Sequence, residues 1–146
     1  MAIALSKEKV QAMHGLNMIY SFLTLMVTNV VVLAVANALA PNHVVLGTYA
    51  ISYWWAIYHS MFKLSVISTF VMPLVTLYEW KNKTTFTPKQ WMMTYFVVNV
   101  VVLWEITRFA DNLGLGVSSW VVLLILAFVF NFAQGMAMMA LGKKLK

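Results

Sequence analysis

This chain predicts an all-α fold, a polytopic membrane protein of four transmembrane helices in one domain. Three observations carry that expectation. Of the 146 residues, 62% are hydrophobic and only 10% charged, against about half and about a quarter in a soluble domain. The apolar residues form continuous runs rather than the alternation of a barrel strand, and only helices or closed barrels satisfy the backbone in lipid. The lysines fall in short clusters between those runs, so the net charge of +6 has the pattern of a membrane protein rather than a nucleic-acid module.

A crossing needs about 20 mostly apolar residues, and four stretches supply them. A short segment, residues 1–15, precedes the first, which runs from about Leu16 to Ala40 and stops at the turn Pro41-Asn42. That apolar run is too long for the core of a cleaved leader, and Pro41 disfavours cleavage after Ala40. The second run extends from near Gly47 to about Tyr78, completing a first hairpin over about 16–80. It is longer than one crossing requires and has Pro73 as a bending point. A connecting loop, 81–89, ends at Thr87-Pro88, a helix cap followed by proline at the first helical position. The third crossing then covers about Gln90 to Ala110. The fourth opens after Gly114 and Gly116 with Ser118 as its expected cap, ends near Leu141-Gly142 and leaves a basic tail, 143–146. The second hairpin is thus about 90–142.

Orientation follows from the lysines. Lys7, Lys9, Lys81, Lys83, Lys89, Lys143, Lys144 and Lys146 all fall on one side of a four-span topology, while the other side has Arg108, with His43 nearby. The positive-inside rule places both termini in the cytoplasm. The sequon Asn82-Lys83-Thr84 is then cytoplasmic and inert. Trp54, Trp55, Trp80, Trp91, Trp104 and Trp120 mostly fall near span ends, as interfacial anchors do.

An internal repeat is also legible. Asn29-Val30-Val31-Val32-Leu33 recurs 70 positions later as Asn99-Val100-Val101-Val102-Leu103, and at the same offset Ala40 meets Ala110 and Asn42 meets Asn112. Each half holds two crossings, so the halves share an orientation, as in a parallel tandem repeat of hairpins. The second half reads as a short turn Asn112-Leu113-Gly114-Leu115, an aromatic-led return helix with Trp120, Ala127-Phe128 and Asn131-Phe132, and a basic end at Lys143-Lys144. In this it resembles a family of small bacterial membrane proteins of unknown function, built from one or two such hairpins. The first half departs from the pattern, with Ala-Pro-Asn at its turn and Lys63 inside its return helix. The resemblance implies a bacterial inner-membrane setting and no activity.

Ionisable groups inside a span are functional candidates, because even low estimates put a central Lys or Asp at about 2.5–3.5 kcal/mol to insert. His59 and Lys63 stand four apart on the second span, and Glu105 and Arg108 three apart on the third, so each pair shares a helix face. Counting from the outer face at 1.5 Å per residue, His59 lies roughly 10 Å deep, Lys63 roughly 16 Å and Glu105 roughly 9 Å. Lys63 can reach back along its stem. A Lys63–Glu105 pair with His59 hydrogen-bonded beside it is expected, with Arg108 reaching the outer headgroups or Asp111. Two opposite charges in lipid must pair or neutralise whatever the protein does, so the cluster can equally serve only to join the two spans.

Asn29 and Asn99, near mid-membrane, and Asn131 and Gln134 on the fourth span are expected to make interhelical amide bonds, or to line a polar route. Ala133, Gly135, Ala137 and Ala140 form a small-residue strip suited to close helix packing, within the chain or in a homo-oligomer.

The 11 methionines fit packing. With no Cys in the chain, thiol chemistry and cysteine metal sites are excluded. His14, His43 and His59 lie at different levels, so paired haem ligation fails. No phosphate loop, H-E-x-x-H or nucleophile–base pair is present. The chain is therefore not expected to be an enzyme or to hold a cofactor or metal. Its expected partners are the bilayer, a second copy of itself, and an ion or small solute. The foremost functional expectation is a channel- or carrier-like protein using Lys63, Glu105, His59, Arg108, Asn29 and Asn99. The alternative is a non-catalytic accessory or scaffold subunit packed against a larger membrane complex.

Overall fold

The computed structural model describes residues 2–144, with side chains from residue 15 onward. Lys7, Lys9 and His14 lie outside the described side chains, and Lys146 outside the described residues. The chain is mostly helical. Its elements are α1 (Ala2–Leu39), β1 (Val44–Leu46), α2 (Tyr53–Asn82), α3 (Pro88–Arg108), the single turn α4 (Ala110–Leu113), β2 (Leu115–Val117) and α5 (Trp120–Lys144).

The four long helices form a ring in which α1 and α3 each pack against both α2 and α5. Their shared core is Leu33, Ile57, Met61, Leu64, Leu103, Ile106 and Phe130, all sealed from solvent. The outward faces are apolar too: Val27, Val31, Phe62, Val101, Val121 and Phe128 are each more than half exposed. A helix hydrophobic on every side belongs in lipid. Gly15–Leu39, Tyr53–Asn82 and Trp120–Lys144 are each long and apolar enough to cross a membrane. α3 spans about 32 Å at 1.5 Å per residue, enough for a crossing by length. Its Lys89, Asn99, Glu105 and Arg108 leave it less apolar than the other three.

The apolar stretch of α1, Gly15–Leu39, agrees with the expected first crossing, and the helix itself extends back to Ala2. Residues 2–14 are rich in Ala, Leu, Lys, Glu, Gln and Met, strong helix formers that carry the helix past its apolar stretch. α2 starts at Tyr53, later than expected, because Gly47 adopts φ +90 and the chain turns through Thr48–Ile51 before Ser52 caps the helix. The other end of α2 closes on Lys83 in the left-handed region, with the Lys83 and Thr84 amides donating to the Glu79 carbonyl. α3 opens with the Thr87–Gln90 capping box and Pro88. Phe86 packs edge-on between Tyr78 and Trp91, fixing this turn.

At the opposite end the two inter-helix connections pair as a short antiparallel sheet, Val44 opposite Val117 and Leu46 opposite Leu115. This sheet departs from the purely helical reading of the sequence. Three-residue strands carry no readable alternation, but they give the connection backbones the partners an apolar surrounding denies them. Gly47 N–H to Gly114 O and Ser118 N–H to His43 O extend the ladder at either end. Ser118 is therefore not the cap of α5. Its hydroxyl bonds His43 Nδ1 at 2.9 Å, and Ser119 Oγ accepts from Val122 N instead.

Gly114 is where the second connection touches α2. It has φ +84, and a Cβ there would stand 2.6 Å from the Ala56 Cβ. Gly114→Ala combines left-handed strain with overpacking and is expected to destabilise the bundle by about 2–4 kcal/mol. Gly135→Ala, whose Cβ meets nothing within 4 Å, is the matched control. Thermal melts of the detergent-solubilised chain, followed by circular dichroism, should show a clear loss of Tm for the first and none for the second.

Candidate functional site

Two polar arrangements join the helices, one in the interior and one on the flank. The deeper one is neutral. α1 presents Asn29 on the face that also buries Leu25 and Leu33, and α3 presents Asn99 beside Val102 and Leu103. α5 places Gln134 one turn beyond Phe130, and α2 places Ser65 next to Leu64. All four polar residues are buried, Gln134 at 3% exposure and the others at 0%. Asn99 Nδ2 donates to Gln134 Oε1 at 3.0 Å, Gln134 Nε2 to Asn29 Oδ1 at 2.8 Å, and Asn29 Nδ2 to Ser65 Oγ at 2.9 Å. One chain of hydrogen bonds thus runs through α3, α5, α1 and α2. Asn99 Oδ1 is buried at its start without a partner among the described residues. Asn131, the other amide on α5, donates to the Met92 carbonyl of α3 at 3.3 Å.

The second arrangement is charged and lies on the flank of the α2–α3 seam. Lys63 Nζ meets Glu105 Oε1 at 2.8 Å, the one ion pair among the described residues. The two side chains are 35% and 41% exposed, so this is a lateral feature, not a central one. Phe62 and Trp104 stand exposed beside it in sequence.

His59 does not join that pair by a hydrogen bond. Its ring packs on Trp55 at a centroid distance of 4.1 Å. Trp55 lies one helical turn away on the same face, and a broad indole competes well for an imidazole in an apolar surrounding. Arg108 is exposed and makes no ion pair with Asp111 among the described residues. It lines a shallow cleft of about 250 Å³ with Trp104, Thr107, Ser119 and Trp120 at the sheet end.

A larger crevice, about 760 Å³, opens between α1 and α2 toward the end that carries Lys81 and Lys143. Ser68 lines it, fully buried, its hydroxyl without a partner among the described residues. Ser65, Ser68 and the crevice were not legible as a site. The available signal was the helical spacing of Ser60, Ser65, Ser68 and Thr69 on the buried face of α2. Among the described residues no group of three His, Asp or Glu is placed to hold a metal ion. In comparisons with protein families, curated proteins and solved structures, nothing matches this chain.

Chemically, the amide chain can fix the level and rotation of the helices against one another, since each member has a directional partner on a neighbour. Gln134→Leu removes the central link and leaves the Asn29 acceptor and an Asn99 donor buried and unpaired. A loss of about 2–4 kcal/mol is expected from two orphaned groups. Ser65→Ala, at the end of the chain, should lose about half as much or less. Denaturant unfolding in mixed micelles checks the ranking, and equal effects would remove Gln134 from its central role.

Proposed function

We propose that this chain is a non-catalytic membrane scaffold that self-associates laterally along its α2–α3 seam. In this reading it crosses the membrane four times and is built from two parallel hairpins. The observation that carries it is the half-exposed Lys63–Glu105 pair on the flank of the bundle. A charged pair facing hydrocarbon is unfavourable, and a protein neighbour relieves that exposure. A second copy suits the seam in particular. A two-fold axis beside it sets each Lys63 near the other copy's Glu105, an arrangement self-complementary in charge, while the exposed Phe62 and Trp104 supply apolar contact area.

The fourth crossing draws its support from connectivity. β1 pairs with β2, so the α1–α2 and α3–α5 connections share one end. If α2 carries the chain across and α5 starts again at the sheet end, α3 must bring it back. The lysines support placing both termini in the cytoplasm: Lys81, Lys83, Lys89, Lys143 and Lys144 flank the end opposite the sheet. Duplication draws support from burial at matching positions, Asn29 with Asn99, Leu33 with Leu103, and Ala56, Ile57 and Ser60 with Leu126, Ala127 and Phe130. The likeness to hairpin-built bacterial membrane proteins fits the same reading and adds no activity.

The channel or carrier reading has weaker footing. The bundle axis is filled by Leu64, Leu103, Phe130 and the amide chain, and neither Lys63 nor Glu105 lines the α1–α2 crevice or the Arg108 cleft.

The test replaces both charges at once, Lys63→Met with Glu105→Leu, because exchanging a whole ion pair for apolar groups leaves folding nearly neutral. Light scattering in detergent and cross-linking in liposomes should show the native chain as a dimer or larger. The paired variant should keep its helicity and associate about tenfold more weakly, a change of about 1.4 kcal/mol. Unchanged association overturns the scaffold reading. So does ion flux through liposomes holding the native chain alone that is abolished by Glu105→Gln, which selects the carrier.

A further inference from the structure

The crevice between α1 and α2 has no part in the seam just described and has the chemistry of a ligand site. Its volume, about 760 Å³, lies in the ordinary range of small-molecule pockets, about 300–1,000 Å³. It reaches inward from Trp80, which is 79% exposed, to Ser68, half-way along α2. Those two residues are about 18 Å apart along the helix. α1 contributes Ser21 and Leu25 to the facing wall, and Tyr95 of α3 and Met138 of α5 complete it.

Three features narrow the occupant. Among the described residues no lining side chain is charged, and an ionic ligand without a counter-charge is strongly unfavourable in an apolar surrounding. The mouth lies among exposed apolar side chains, Met72, Leu77 and Trp80, between two helices apolar enough to cross a membrane, which suits entry from the bilayer. At the deep end the Ser68 hydroxyl is fully buried and unpartnered. Buried hydroxyls in helices ordinarily donate to the carbonyl four residues back, as Thr69 does to Ser65 O at 2.7 Å. Ser68 has no such bond among the described residues, and a free donor on a residue of the crevice wall calls for an acceptor oxygen, which reaches the sealed hydroxyl once the side chains around it part.

We propose that this crevice binds a neutral, lipid-soluble molecule that carries a carbonyl oxygen on a hydrocarbon body, with the carbonyl accepting from Ser68 Oγ. An isoprenoid-type quinone and an acyl glyceride ester share that chemistry.

The experiment titrates the purified full chain in detergent with decylubiquinone, with monooleoylglycerol and with decylbenzene, which has no carbonyl, and counts bound ligand by native mass spectrometry. Ser68→Ala is the key variant, because its hydroxyl has no partner to lose and the fold should be unaffected. Ser21→Phe, which fills the facing wall, is the second, with helicity measured for both. Saturable binding of one molecule of a carbonyl ligand per chain is expected, about tenfold weaker in Ser68→Ala, as for loss of one buried hydrogen bond, and absent in Ser21→Phe. Whichever carbonyl ligand binds identifies the source. Binding of neither, equal binding of decylbenzene, or undiminished binding by Ser68→Ala overturns the proposal.

Discussion

A carboxamide inside an apolar bundle must find its partner on another helix, and Gln134 is the residue through which this protein meets that demand. It accepts from Asn99 and donates to Asn29, which in turn donates to Ser65. Aliphatic packing tolerates small slides and rotations of one helix on the next, because dispersion contacts are many and individually weak. A directional bond between buried amides does not. Moving α5 by one residue, about 1.5 Å along its axis and 100° around it, would take Gln134 away from both partners at once. The core around it, Leu33, Leu103 and Phe130, is then held at one level by the polar residues rather than the reverse.

The sheet end works with that constraint. The β1–β2 ladder holds the two hairpins in register at one end, and the amide chain holds them again near mid-bundle. Between these two fixed levels lies the Lys63–Glu105 pair. Neutral and ionic groups differ in what they tolerate. An amide can be sealed completely once hydrogen-bonded, whereas an ion pair keeps a large desolvation penalty even when paired, and hydrocarbon does not relieve it. The amides occupy the axis with essentially no exposure, and the charges sit on the flank with more than a third of each side chain exposed. Glu105 is only three residues from the end of α3 at Arg108, about 5 Å along the axis. The long Lys63 stem makes up the difference in level from α2.

Much of this was legible in the sequence because the controlling signals are local. Pro41-Asn42 and the Thr87-Pro88 cap marked turns and helix starts within a few residues of where they occur. Depth counting from a common end placed Lys63 within reach of Glu105, since both helices rise at the same rate per residue. What escaped depended on tertiary choices between near neighbours. Ser118 and Ser119 are equivalent as caps by type, and only the pairing of β1 with β2 draws Ser118 to His43 and leaves Ser119 for α5. His59 had two candidate partners one turn away on its own helix, Trp55 on one side and Lys63 on the other, and spacing alone does not rank them. Ser65 and Ser68 were obscured because a serine in a helix usually satisfies itself on its own backbone. Nothing in the chain announces that one serves as an acceptor for α1 and the other faces a crevice.

The two halves also differ in a way that bears on the duplication proposed above. At an offset of 70 positions Asn29 corresponds to Asn99, but Gln134 corresponds to Leu64 and Ser65 to Gly135. A strictly symmetric ancestor with leucine at both places would bury two asparagines with no glutamine between them, each short of partners. A glutamine at both places would put two more amides into a core that holds Leu64 fully buried. One glutamine serves both asparagines, because its carboxamide donates on one side and accepts on the other. The residue of that asymmetry is still visible: Asn29 has a partner for each end of its amide, while Asn99 retains one buried oxygen without any among the described residues. On the duplication proposed above, divergence of the halves is what lets one glutamine serve both buried asparagines.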